Sequence, residues 1–143
     1  MRIFFIWFCL LFCVCLQAVT NYTASQFIAD LYPALTDDTI ITFDVPMHFI
    51  GSVQPFVFSG NYTLTLKTDP ANPTNAYILL DTTSTLNIAT LTANRSIIFQ
   101  DTMQLRMRKG QPGISAGAII AAASTPPGGS IIFQNQSNMI TVP

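Results

Sequence analysis

The sequence predicts a mainly β (α+β) domain: an antiparallel meander sheet with one short N-terminal helix. Three observations predict it. From Thr39 onward, apolar and polar residues alternate with a period of two in several separate stretches, as in strands with one buried and one wetted face. Compact polar turns separate these stretches, among them Ser59-Gly60-Asn61, Asp69-Pro70-Ala71-Asn72-Pro73 and Thr92-Ala93-Asn94. Ahead of them only one stretch has helical spacing. Successive strands joined by short polar turns point to an antiparallel meander.

The chain opens with Arg2 and an uncharged apolar run from Ile3 to Leu16, then Gln17 and the small residue Ala18. That order is the charged, apolar and small-residue sequence of a secretory signal peptide, predicted over residues 1–18. The apolar core is too short for a transmembrane anchor, which needs about 20 residues. A secreted, extracellular product with no stable membrane anchor after cleavage is therefore expected. Cys9, Cys13 and Cys15 are the only cysteines in the sequence. All three leave with the signal, so the product has no disulfide framework, thiolate metal site or cysteine nucleophile. It relies on a packed core instead.

Next comes the helix. Thr23-Ala24-Ser25-Gln26 has the form of a capping box, and Phe27, Ile28, Leu31 and Leu35 follow at helical spacing. Pro33 limits the helix to about 24–32, because the residue before a proline is pushed out of the α region. The strands follow. Ile41, Phe43 and Val45 alternate with polar neighbours, as do Tyr62, Leu64 and Leu66, and then Met103, Leu105 and Met107. Tyr77 to Leu80, Leu86 to Thr92 and Ile97 to Phe99 read as further strands. Residues 19–109 thus form one β-rich domain. Beyond Lys109, residues 110–143 are a Gly-, Ala- and Pro-rich segment, in which Ile114 to Ser124 reads as a buried helix or a loosely held stretch.

Charge excludes one class of partner. After the signal the chain carries five basic and seven acidic residues, all of the latter aspartate. No nucleic-acid partner is expected of so weakly charged and slightly acidic a chain. Three of the cations, Arg106, Arg108 and Lys109, lie on or beside one wet strand face. They suit anionic headgroups or phosphate, or simply a solvated face that discourages edge pairing.

The catalytic search finds no site and no cofactor. Gly113-Ile114-Ser115-Ala116-Gly117 matches the nucleophile-elbow pattern, but no Asp, Glu or His follows Ser115. His48 is the single histidine, which rules out a histidine metal cluster. Asp44 and His48 are close enough in sequence for a dyad, yet Pro46 stands between them and no nucleophile faces them. Asp37-Asp38 is adjacent in a turn, where aspartates make local backbone hydrogen bonds. The sequence therefore predicts a protein that is not an enzyme. Four sequons begin at Asn21, Asn61, Asn94 and Asn135; with an export signal they read as glycosylation sites on surface turns.

Two stretches carry a family resemblance. Phe27-Ile28-Ala29-Asp30-Leu31-Tyr32-Pro33 with the strand Thr39–Val45, and then residues Asn75 to Lys109, resemble the second-domain sheet of the bactericidal permeability-increasing, lipopolysaccharide-binding and cholesteryl ester transfer protein family. The likeness lies in the order of an aliphatic strand, a Thr/Ser-rich strand, an Asn-containing turn and an amphipathic strand with basic residues. It implies a long antiparallel sheet wrapped on a helix, an apolar tube for lipid, a role in innate immunity and no catalysis. On this reading the chain is a truncated or divergent relative, and its partner is a lipid or other apolar ligand. The alternative expected from the strands alone is a secreted, glycosylated β-sandwich adhesion or structural module whose inward faces form its own core.

Overall fold

The structure is a computed structural model and describes residues 18–88, 94–110, 118–121 and 129–143. The expected signal peptide, apart from Ala18, and Ser115 lie outside the described residues. One α-helix, α1 (Ala24–Ala29), one short 3-10 helix (Pro73–Asn75) and twelve strands are present among them. The strands are β1 (Val19–Thr23), β2 (Asp38–Phe43), β3 (Met47–Phe49), β4 (Ser52–Val53), β5 (Thr63–Thr68) and β6 (Tyr77–Leu80). They continue with β7 (Thr85–Ile88), β8 (Ser96–Gln100), β9 (Gln104–Arg108), β10 (Ala118–Ala121), β11 (Ser130–Phe133) and β12 (Asn138–Val142).

These strands form three sheets. The first has the order β1-β2-β5-β8-β11, the second β12-β9-β6-β3 and the third β10-β7-β4. Each strand pair is parallel, so the expected antiparallel meander is overturned. Apart from β1 and β2, which pair across helix α1, strands adjacent in sequence do not pair. The chain turns a corner after β2 into β3, and again into β4, before β5 returns to stack on β2. It is a three-sided β-solenoid, each coil lying on the one before. The alternative of a β-sandwich is corrected on the same finding.

The physical reason is specific. A parallel pair needs a crossover of a dozen or more residues, most often a helix, and helix-covered parallel strands read as continuous apolar runs. Here, except between β1 and β2, which helix α1 joins, the crossover between paired strands is the rest of the coil, made of strands in the other two sheets. Among the described residues no helix covers the outer faces, so the strands keep the wet–dry alternation that antiparallel sheets usually show.

The inward positions stack from coil to coil. In the first sheet Ile41 lies beside Leu66, Leu66 beside Phe99, and Phe99 beside Phe133. In the second, Met47, Ile78, Leu105 and Met139 form the equivalent ladder. The third adds Val53 beside Leu86. Ile41, Leu64, Leu66, Ile78, Leu80, Leu86, Ile97 and Leu105 are fully or almost fully buried, and Phe43, Phe56 and Phe58 fill the space between the sheets. Phe99 and Phe133 stack at 4.7 Å between ring centroids. Buried hydroxyls are satisfied: Thr39 donates to the Asp37 carbonyl at 3.0 Å, Thr68 to the Asp101 carbonyl, and the Ser84 hydroxyl accepts from Gly51 N–H.

Helix α1 caps the first coil. Thr23 Oγ1 accepts from Gln26 N–H while Gln26 Oε1 accepts from Thr23 N–H, completing the capping box. The helix stops at Ala29, earlier than Pro33 alone requires, because Leu31 and Tyr32 take left-handed backbone angles. That turn swings Tyr32 back, so Phe27 is fully buried with its ring edge-on to Tyr22 and Tyr32 and against Phe56. Thr23→Ala is expected to cost about 1 kcal/mol, read as a lower urea midpoint with unchanged slope.

The cap is held to the coil by Asp44, which accepts from Ser25 N–H at 3.0 Å and from the Ser25 hydroxyl. Partial burial pushes the Asp44 carboxyl up. The Ser25 hydrogen bonds, with those from its own backbone and from Thr23, outweigh this and leave it below the ordinary carboxylate range. A lowered folded-state pKa makes the protein more stable above the unfolded value, near 3.9, and that gain is lost as pH falls through the lower folded value. Asp44→Asn is therefore expected to flatten the acid limb of stability below about pH 4. Urea titrations at pH 7 and pH 3 check this.

After Lys109 further strands follow. Among the described residues of that segment, β10, β11 and β12 extend the three sheets, pairing with β7, β8 and β9. Within the Ala-rich run, expected as a buried helix or a loosely held stretch, residues Ala118–Ala121 are strand β10.

Candidate ligand-binding face

A solenoid with a filled interior offers ligands its outer faces and corners. The second sheet has the most chemistry on its outer face. Alternation turns Met47, Phe49, Ile78, Leu80 and Leu105 inward, which leaves His48, Tyr77, Leu79, Gln104 and Arg106 facing out. Register then stacks these side chains in rows. His48 lies beside Leu79, Leu79 beside Arg106, and Arg106 beside Ile140. Tyr77, Gln104 and Asn138 form a neighbouring row. Asp81, just past the end of β6, reaches Arg108 in the next coil.

Two contact groups organise the face. The Arg106 guanidinium lies 3.9 Å from the centroid of the Tyr77 ring, and its Nε–H donates to Gln104 Oε1 at 2.9 Å. Such a cation–π contact is worth about 0.5–1 kcal/mol at an exposed site, and it holds the guanidinium over the ring. Beside it, Asp81 joins His48 Nε2 at 3.3 Å and Arg108 Nε at 3.2 Å. The N–H of Thr82, and after it the Arg108 charge, hold the Asp81 carboxyl below its ordinary range despite some desolvation. The pair is solvent-exposed, so it positions side chains more than it stabilises the fold.

The expected residues are placed differently from the way they read in sequence. Asp44 and His48 do not meet: Asp44 ties down the helix cap, and His48 turns to Asp81. Arg106 and Arg108 do share one wet face, with Lys109 directly after them. Asn21, Asn61, Asn94 and Asn135 are all exposed. Thr63 and Ser96, the third residues of two sequons, are in register, which puts Asn61 and Asn94 at one corner in successive coils. The Asn135 amide donates to Asp101 Oδ1 at 3.1 Å across another corner. Among the described residues no group of three or more His, Cys, Asp or Glu is placed to hold a metal ion.

Sequence reasoning missed Tyr77, Asp81 and Gln104. The sequence does carry a repeat, Ser-Ile-Ile-Phe-Gln at 96–100 and again at 130–134. It marks one coil and relates Arg106 to Ile140 in the following coil, but the preceding coil is shorter, so the repeat does not bring Arg106 to Leu79 or Arg108 to Asp81.

A second feature lies at the other end of the coil. Tyr32, Phe49, Val53, Gln54 and Pro55 line a half-open, mainly apolar cleft of about 250 Å³. Burial raises the Tyr32 phenol above its ordinary pKa.

With this geometry in hand, the chain was compared with known proteins. No family model, curated protein or solved structure matches it.

Proposed function

We propose that the chain is an exported, non-catalytic adhesion or structural module that binds through the outer faces of its solenoid. The observation that carries this reading is the filled interior. The inward faces that a lipid tube would use pack against one another as ladders of Ile, Leu, Met and Phe, whereas the outer face of the second sheet gathers His48, Tyr77, Asp81, Arg106 and Arg108. The four exposed sequons fit a glycosylated product, and the Asn61–Asn94 corner would carry sugar away from that face.

Two measurements test the proposal. Protein secreted from eukaryotic cells is expected to shift in mobility with a glycosidase, and to adhere to cell or matrix surfaces as a monomer without bound lipid. Failure to adhere to any surface, or measurable turnover by the purified protein, would sink it. The cleft at Tyr32 and Phe49 favours a second, narrower reading, in which a small apolar group docks there. Its volume suits one short apolar moiety and not an acyl-chain tube. Mass spectrometry of an organic extract would then find a small apolar compound in stoichiometric amount, and an empty protein would rule the reading out.

A further inference from the structure

We infer that the outer face of the second sheet is a binding site for an anionic polysaccharide, with Arg106 and Arg108 as its anion contacts and Tyr77 as its platform. The inference rests on the reading of the outer faces as the working surface and names the ligand class.

Charge complementarity is the first support. Arg106 and Arg108 are two residues apart on one strand, so they project from the same side about 6.6 Å apart. Lys109 follows them. Among the described residues Asp81 is the carboxylate that meets this face, through His48 and Arg108, while the chain as a whole is slightly acidic. Both guanidinium groups are held through Nε, to Gln104 and to Asp81 respectively. Their Nη groups, the half of the fork that chelates carboxylate or sulfate, have no partner among the described residues. The two forks are thus oriented by the protein before any ligand arrives, which lowers the cost of ordering them on binding.

The neighbouring groups point to sugar. Gln104, Asn138 and Tyr77 supply amide and phenol groups for hydroxyls, and the Tyr77 ring with Arg106 over it offers an aromatic, cationic contact for a sugar ring. Rows that repeat from coil to coil every 4.8 Å or so suit an extended polymer lying along the solenoid axis. A membrane surface fits less well. Among the described residues the exposed large apolar side chains are Val19, Leu31, Ile50, Val57, Ile132, Phe133 and Met139, and none is an outward position of this sheet; the outward Leu79 and Ile140 are half-buried, so the face offers little apolar surface to acyl chains.

The test uses the secreted full-length product and two polymer probes, a sulfated glycosaminoglycan and a polyuronate, beside a neutral glucan and phosphatidylserine vesicles. Binding is followed by biolayer interferometry at low and at 0.5 M salt. At least one anionic polymer is expected to bind, with affinity falling in salt. The double variant R106Q/R108Q should lose tenfold or more, and K67Q, which removes a cation from the outer face of the first sheet, should stay within twofold. In the wild-type protein the bound polymer should protect Arg106 and Arg108 from phenylglyoxal, a readout that does not depend on the variant's folding. Absence of polymer binding, equal loss in K67Q, unprotected arginines, or binding of vesicles in place of polymers would each overturn the inference. Adhesion retained by R106Q/R108Q on a neutral surface would overturn the ligand class alone and leave the module reading standing.

Discussion

Phe27→Ala is expected to cost about 3–5 kcal/mol and to be the most damaging single change in the cap. Its ring is fully buried, with Tyr22 and Tyr32 edge-on to it and Phe56 beside it. The surrounding aromatics are tied to three different segments, β1, the left-handed turn after α1 and the loop after β4, so they cannot close together over the void. In a solenoid each coil is stabilised by its neighbours. An uncapped first coil exposes the apolar ladder that starts at Ile41, and unfolding is expected to start there. Urea denaturation should show a large fall in midpoint, and hydrogen exchange should show β1 and β2 losing protection before β8 and β9.

Leu66→Ala should cost about 2–5 kcal/mol by a different route. Leu66 is completely buried in the middle of the first-sheet ladder, in register with Ile41 on one side and Phe99 on the other. The void it leaves weakens both interfaces at once. Loss of cooperativity is therefore expected as well as loss of stability. Unfolding should broaden, with a shallower denaturant slope, as the coils on either side melt apart. A sharp two-state transition with an unchanged slope would show that the coils do not depend on this contact.

How much of this was legible in the sequence follows from what each signal encodes. Alternation at Ile41, Phe43, Leu64, Leu66 and Ile97 reports that a strand has one dry face, and these residues are indeed inward. It carries no information about strand direction or partner. The capping box at Thr23 and Gln26 is a local interaction, so the helix start is readable. Its early end depends on Leu31 and Tyr32 adopting a conformation that non-glycine residues rarely take, stabilised by tertiary packing of the Tyr32 ring. At the candidate face, Arg106 and Arg108 were visible as cations on one strand. Their orientation was not, because Tyr77 and Asp81 come from the previous coil, 29 and 27 residues earlier in the sequence. The Ser-Ile-Ile-Phe-Gln repeat has a longer spacing and does not link these positions.

Cysteine pairs introduced after Cys9, Cys13 and Cys15 are replaced by serine test the parallel solenoid most directly. Thr63 is in register with Ser96, and Lys67 with Gln100, all four on the outer face of the first sheet. Paired Cα atoms of neighbouring strands lie about 4.8 Å apart, within the range a disulfide spans. The variants T63C/S96C and K67C/Q100C are both expected to oxidise readily to an intramolecular disulfide, while T63C/Q100C and K67C/S96C are not. The reverse pattern, with the second two pairs closing and the first two open, would place these strands antiparallel and contradict the fold on which the candidate face depends.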